Sequence, residues 1–161
     1  MARQPNTQLE VLRAVVELLI SELDDLTRST CVVSHYPQIP PGSSSNVFVT
    51  VTPMEGSFEA QDHQSALIEN SGVVVTVWSA IKGRAKRSEE ELFNETRGVL
   101  DWKRRILRVL TNRDVVVEGE KNLASLMWPL NSGRPEPDPE SNRVSLMISF
   151  STDIWWDIDR V

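Results

Sequence analysis

Two rhythms of hydrophobic residues divide this chain, one with the period of a helix and one with the period of a strand. Leu9, Leu12, Val16, Leu19, Leu23 and Leu26 recur at alternating spacings of three and four, which draws one apolar stripe along a helix. Arg13, Glu17 and Asp24 mark its polar face. Thr7 and Glu10 have the spacing of a capping box, with Pro5 just outside. The stripe is too short for a sustained coiled-coil seam, so the helix is expected to pack on a sheet.

From Cys31 the rhythm changes to two. Val32 and Val33 form a short β-like run, followed by the loop IPPGSSSN. VFVTVTP (47–53) alternates strictly and ends at Pro53, which belongs at a strand end or sheet edge. SALIENSG reads as a lead-in to VVVTVWSA (73–80), where Val73, Val75 and Val77 take one face and Val74, Thr76 and Trp78 the other. A strand apolar on both faces belongs in the middle of a covered sheet.

A second helix is predicted from Ser88 to Asn112, opened by the Ser88/Glu91 capping spacing and glutamates at the positive end of the dipole. Its expected buried positions are Leu92, Thr96, Val99, Leu100, Leu107 and Leu110, flanked by Phe93 and Ile106. Lys103, Arg104, Arg105, Arg108 and Arg113 crowd its end, and Gly98 weakens its middle by roughly 1 kcal/mol. DVVVEG (114–119) reads as a short strand. Residues 131–142, with three prolines, read as a loop. In RVSLMISFSTDIWWDID, Val144, Leu146, Ile148, Phe150, Ile154 and Trp156 share one parity. Trp155 falls on the other, among serines and aspartates. Strands gathered into runs, with a helix before and a helix between, define an α+β class: a mainly antiparallel twisted sheet with two helices packed on it. The whole of 1–161 is the size of one domain.

Composition narrows the classes. No apolar run approaches the ~18 residues of a membrane span, and the N-terminal stripe carries Glu10, Glu17 and Glu22, unlike a signal peptide. A lone cysteine suits a reducing compartment, and a net charge of −6 opposes broad nucleic-acid binding.

Catalytic signatures fail on spacing. Gly83 lacks the second glycine and Lys-Ser of a phosphate loop. In DVVVEGEK the position two before Lys121 is Gly119, not the acid a metal-dependent nuclease requires. His35, His63 and Cys31 have no converging partner ligand, and no G-x-S-x-G elbow is present. The expectation is a protein with no catalytic, cofactor or metal site. Trp78, Trp102 and Trp128 are expected in the core or at its margins, whereas Trp155 beside acids has the character of an interface anchor.

The leading helix, the pair VFVTVTP and VVVTVWSA, the long second helix and the late strand RVSLMISFSTDIWW together make the chain resemble the tail terminator (tail-completion) proteins of long-tailed bacteriophages and related contractile injection machines. The resemblance covers nearly the whole chain as a pattern of elements and rests on no short motif. It implies a non-enzymatic virion protein, assembled in the host cytoplasm. That protein would form a ring, a hexamer in this reading, on the head-proximal end of the tail tube. Its partners would be its own copies, the tail tube protein and the head-tail connector. No membrane and no specific nucleic acid are implied, although DNA would pass through the ring. The long loop 131–142 would be an arm to a neighbouring subunit.

A closed ring needs two different, mutually fitting patches on each subunit. KGRAKR (82–87) offers Arg84, Lys86 and Arg87 as a basic patch. The chain's end offers Asp153, Trp155 and Asp157 as its acidic and aromatic counterpart. Two readings compete with it: a small, non-enzymatic binding or regulatory module acting as monomer or dimer, and an enzyme whose site is assembled from loops without a recognisable signature.

Overall fold

The structure is a computed structural model that describes residues 7–39, 44–59, 66–80, 98–115, 126–138 and 140–157. It opens with helix α1 (Thr7–Glu22). Val11, Leu12, Val15, Val16 and Leu19 are buried along it, while Arg13 and Glu17 face outwards. The buried face is wider than the predicted stripe. It takes in Val11 and Val15 but leaves Leu9 only half-buried, because α1 packs against a second helix as well as the sheet. Leu23 and Leu26 are buried as predicted, but from the turn beyond the helix, where Leu23 N–H donates to Leu19 at 3.0 Å and Leu26 N–H to Leu23 at 2.9 Å. Glu10 accepts from Arg13 at 2.9 Å, and the Thr7 side chain, its expected capping partner, is not among those described.

Seven strands follow among the described residues: β1 (Cys31–Val33), β2 (Val47–Pro53), β3 (Ser57–Glu59), β4 (Ala66–Ala80), β5 (Trp128–Ser132), β6 (Glu136–Asp138) and β7 (Arg143–Asp157). Their order is β1-β2-β4-β7-β5, with β3 continuing the β2 side along β4 and β6 continuing the β5 side along β7. Every pairing is antiparallel except β1 with β2. The fold is α+β, with a mostly antiparallel mixed sheet. Its spine is β4 against β7, in unbroken register from Ala66 opposite Asp157 to Ala80 opposite Arg143.

That register corrects the reading of SALIENSG as a lead-in, since most of it is the first half of β4. Its polar residues and glycine conceal the strand from pattern. Gly72 is required by close approach: a β-carbon there would fall onto the carbonyl oxygen of Phe150. Period-two alternation puts Val47, Val49 and Val51, Val73, Val75 and Val77, and Val144, Leu146, Ile148 and Phe150 on one face. There they join the buried side chains of both helices in a common core. At roughly 25 cal/mol per Å² of apolar area removed from water, this layer is the dominant favourable contribution to folding.

Helix α2 (Val99–Leu110) packs on β4, β7 and α1. The uninterrupted helix expected from Ser88 is broken at Gly98, which is extended (φ −74°, ψ 166°) and serves as the N-cap. Residues 88–97 lie outside the described residues. The buried face also differs from expectation. Val99, Trp102, Ile106, Val109 and Leu110 are buried, whereas Leu100 and Leu107 are half-buried at its margins. Trp102 and Val109 carry the 3.6-residue period that a leucine-led reading missed. The helix ends at Leu110, two residues short of the predicted Asn112, which follows in the left-handed conformation (φ 58°). Asn112 N–H donates to Met127 and Met127 N–H to Arg113, at 2.8 and 3.1 Å, tying this terminus to the approach to β5. Val115 is buried; the strand expected over 114–119 runs beyond it, outside the described residues.

The segment 131–142 is not a free loop. Asn131 and Ser132 belong to β5, and Glu136–Asp138 is β6. Both strands lie on the outer edge, where prolines need not donate to a further neighbour. The turn into β7 is held by Asp138, which accepts from the Glu140 amide at 3.0 Å and from the Ser141 hydroxyl at 2.5 Å. These bonds, the Ser141 hydroxyl foremost, lower the Asp138 pKa.

Candidate interaction surfaces

With both helices on one face, the other face of the sheet is where surface chemistry concentrates. Over β2 and β4 that face is covered: Phe48, Thr50, Thr76 and Trp78 are buried, with the Phe48 and Trp78 ring centres 6.3 Å apart. Over β7 and β5 it opens. Met147 is 42% exposed and Trp128, opposite Ser151, is 59% exposed; Leu126 and Leu130 are also exposed. Among these, Asn131, Ser149 and Ser151 contribute only uncharged polar groups. Trp128, expected in the core or at its margins, is therefore the clearest exposed indole among the described side chains. It lies on an edge strand whose partner face is hydroxyl-lined, and an LMWPL run gives no alternation from which to assign a face. Trp78 and Trp102 are buried as expected.

The second surface is the corner made by β3, β4 and the end of β7. Ser57, Asn70 and Asp153 form one register row across it, and Phe58, Glu69 and Ile154 the next. Ile154 is buried, and Glu69 is only 8% exposed despite its ionisable side chain. Its Oε2 accepts from Trp156 Nε1 at 2.8 Å, and Gly56 lies close against Oε1, leaving no room for a β-carbon. Trp156 is thus half-buried with a satisfied indole, rather than the buried residue that parity predicted. Phe58, in contrast, is 59% exposed on a strand whose three residues all face water. Asn70 Nδ2 donates to Glu59 Oε1 at 2.6 Å.

Of the predicted patch residues, Asp153 is half-buried in this corner. Trp155 and Asp157 hold register positions opposite Ile68 and Ala66, and their side chains are not among those described. Arg84, Lys86 and Arg87 lie outside the described residues. Three of the predicted helix-end cations are drawn into pairs: Arg104 with Asp101 at 2.6 Å, Arg105 with Asp25 at 2.9 Å, and Arg113 with Glu22 at 2.8 Å. Arg105 also stacks 4.2 Å from the centre of the Trp102 ring. Sequence reasoning missed Phe58 and Glu69. The signal lay in the alternation of SFE against LIENS, once that segment is read as strand.

Among the described residues, no three His, Cys, Asp or Glu side chains come together as a metal site, and no helix is long and apolar enough to cross a membrane. Cys31 is buried and His35 is exposed. Burial, and secondarily the Glu17 carboxylate, pushes the Cys31 thiol up to about 12.

No protein-family model matches the chain, and no curated protein matches it in sequence. Its fold is shared with a chain in the structure of the virion of a native gene transfer agent particle. The two are 12% identical with a TM-score of 0.65, over 94% of this chain and 98% of that one.

Proposed function

We propose that this protein is a structural component of a phage-like virion, and within it the tail terminator. In this reading 1–161 is one domain that assembles as a closed ring, a hexamer, on the head-proximal end of the tail tube. The ring stops tube polymerisation and presents a surface to the head-tail connector, with DNA passing through its centre. It performs no catalysis. The observation that carries the virion assignment is the near end-to-end fold match to a gene-transfer-agent virion chain. The terminator role rests further on the element order, with its leading helix, long paired strands and late strand β7.

Two surfaces suit such a protein. The uncharged strip of Trp128, Leu130 and Met147 has the composition of interface centres, where aromatics and Met are enriched and charge is depleted. Arg84, Lys86 and Arg87 on one subunit facing Asp153, Trp155 and Asp157 on the next would supply the unlike patches of a head-to-tail ring. Particles assembled without this chain should carry tubes of uncontrolled length, and the purified protein should form a closed ring by native mass spectrometry. Tubes of normal length overturn the capping role. A strictly monomeric protein at all concentrations overturns the ring and favours a small binding module.

A further inference from the structure

Strand β3 is an outer edge at the same corner that holds Asp153, and its features define a docking edge. Among the described residues it pairs only with β4, so the backbone groups on its other side have no strand partner. Its side chains alternate between an exposed aromatic, Phe58, and the flanking Ser57 and Glu59. Glu55 is exposed just before it, and no basic residue lies between Pro53 and Glu59. The register row Ser57–Asn70–Asp153 runs from this strand across β4 to the end of β7. An open strand edge bearing acids and one exposed ring suits an extended basic segment: backbone bonds supply affinity, and alternate side chains supply specificity.

We infer that β3 receives the Lys82–Arg87 segment of a second copy of this chain as an added strand. Glu55 and Glu59 face its basic side chains, and Phe58 provides the apolar anchor. The occupant follows from charge complementarity: KGRAKR carries four positive charges in six residues, while the edge presents Glu55 and Glu59 with no basic residue between Pro53 and Glu59. The inference rests on the ring reading above and deepens it by naming the acceptor edge. It also moves the anchoring aromatic from Trp155 to Phe58. β3 is only three residues long, which suits a brief, register-setting contact.

The test is charge reversal in two separately purified variants, Glu55→Lys/Glu59→Lys and Arg84→Glu/Arg87→Glu, with oligomeric state read by native mass spectrometry at low salt. Each variant alone should need at least about tenfold more protein to assemble than the wild type, through like-charge juxtaposition. Mixing the two should restore rings with alternating subunits, because each altered patch then meets its complement. Zero-length carbodiimide cross-linking of wild-type rings supplies a readout that requires no variant to fold. It should join Glu55 or Glu59 to Lys82 or Lys86 between subunits. If wild-type rings form but the variants assemble normally and no such cross-link appears, β3 is not the acceptor, and its occupant is another virion component or none. Wild-type protein that never assembles overturns both this contact and the ring reading.

Discussion

Replacing Gly72 with alanine should be among the most damaging one-carbon changes available in the sheet. Gly72 sits in one of the two longest strands, opposite Ser151 on the other, β7, and an added β-carbon would land on the Phe150 carbonyl oxygen. That position is far inside the ~3.3–3.6 Å at which carbon and oxygen make contact. The obstacle is backbone on a paired central strand, so no rotamer change relieves it; β4 and β7 must part locally. The carbonyl of Gly72 also accepts from the Met54 amide at 3.2 Å, so the shift propagates into the turn between β2 and β3. Two weakened hydrogen bonds at ~0.5–1.5 kcal/mol each, with ~1–3 kcal/mol of overpacking strain, sum to about 2–6 kcal/mol. Equilibrium urea unfolding followed by tryptophan fluorescence should show the midpoint falling with little change in slope. Gly133→Ala is the internal control. The nearest atom to its β-carbon would be the Met147 carbonyl oxygen at 3.8 Å, an ordinary contact, so this variant should stay within about 1 kcal/mol of wild type. Equal midpoints for wild type and Gly72→Ala would refute the β4–β7 register itself.

Trp156→Phe keeps the ring but removes the donor to Glu69, leaving a buried acceptor without its indole; a loss of about 1–3 kcal/mol in the same urea assay is expected, and none would deny the bond a structural role. Between pH 9.0 and about 12 the folded chain holds the Cys31 proton that the unfolded chain has released. This contribution is therefore full below pH 9.0 and declines as pH rises towards 12, and Cys31→Val should flatten that decline by up to ~1.4 kcal/mol per pH unit. The same thiol should resist thiol reagents at pH 8 until the chain is unfolded. The Gly133 amide, bonded to Met147 at 2.8 Å, should exchange slowly with solvent in the isolated protein; exchange at the rate of an open loop would restore the reading of residues 131–142 as a free arm.

Strictly alternating segments were legible in the sequence. VFVTVTP is β2 to the residue, and the apolar parity of β7 from Val144 to Ile154 is its buried face. What escaped was decided by neighbours. ALIENSG is strand because β7 supplies a full-length partner and a tolerant Gly72, although local propensity argues for a turn. The prolines of 129–137 are accommodated because they lie on an edge, a fact of topology that composition cannot express. Gly98 reads in sequence as a weak point within a helix, whereas it opens one. The basic and acidic stretches were conspicuous in sequence, yet the exposed edge beside Asp153 emerged only when β3 was paired with β4.

The separation of a buried core from exposed side chains makes folding and assembly experimentally separable. Residues that secure the fold, from Val11 and Leu19 through Val75 to Ile148 and Phe150, lie between sheet and helices, where truncation opens cavities costing roughly 2–5 kcal/mol. Phe58, Glu55, Glu59, Trp128 and Met147 are exposed, and changes at such positions ordinarily move stability by less than about 0.5 kcal/mol. A variant at these sites that keeps its urea midpoint but fails to join a ring has lost a contact, not a fold. Individual exposed ion pairs contribute only ~0.2–1 kcal/mol, so one charge reversal would scarcely register in a single contact. In a ring the same substitution recurs at every interface, and closure multiplies the deficit by the number of subunits. Assembly is therefore the more sensitive readout for charges at the β3 corner, and monomer stability the more sensitive one for the valine layer beneath the helices.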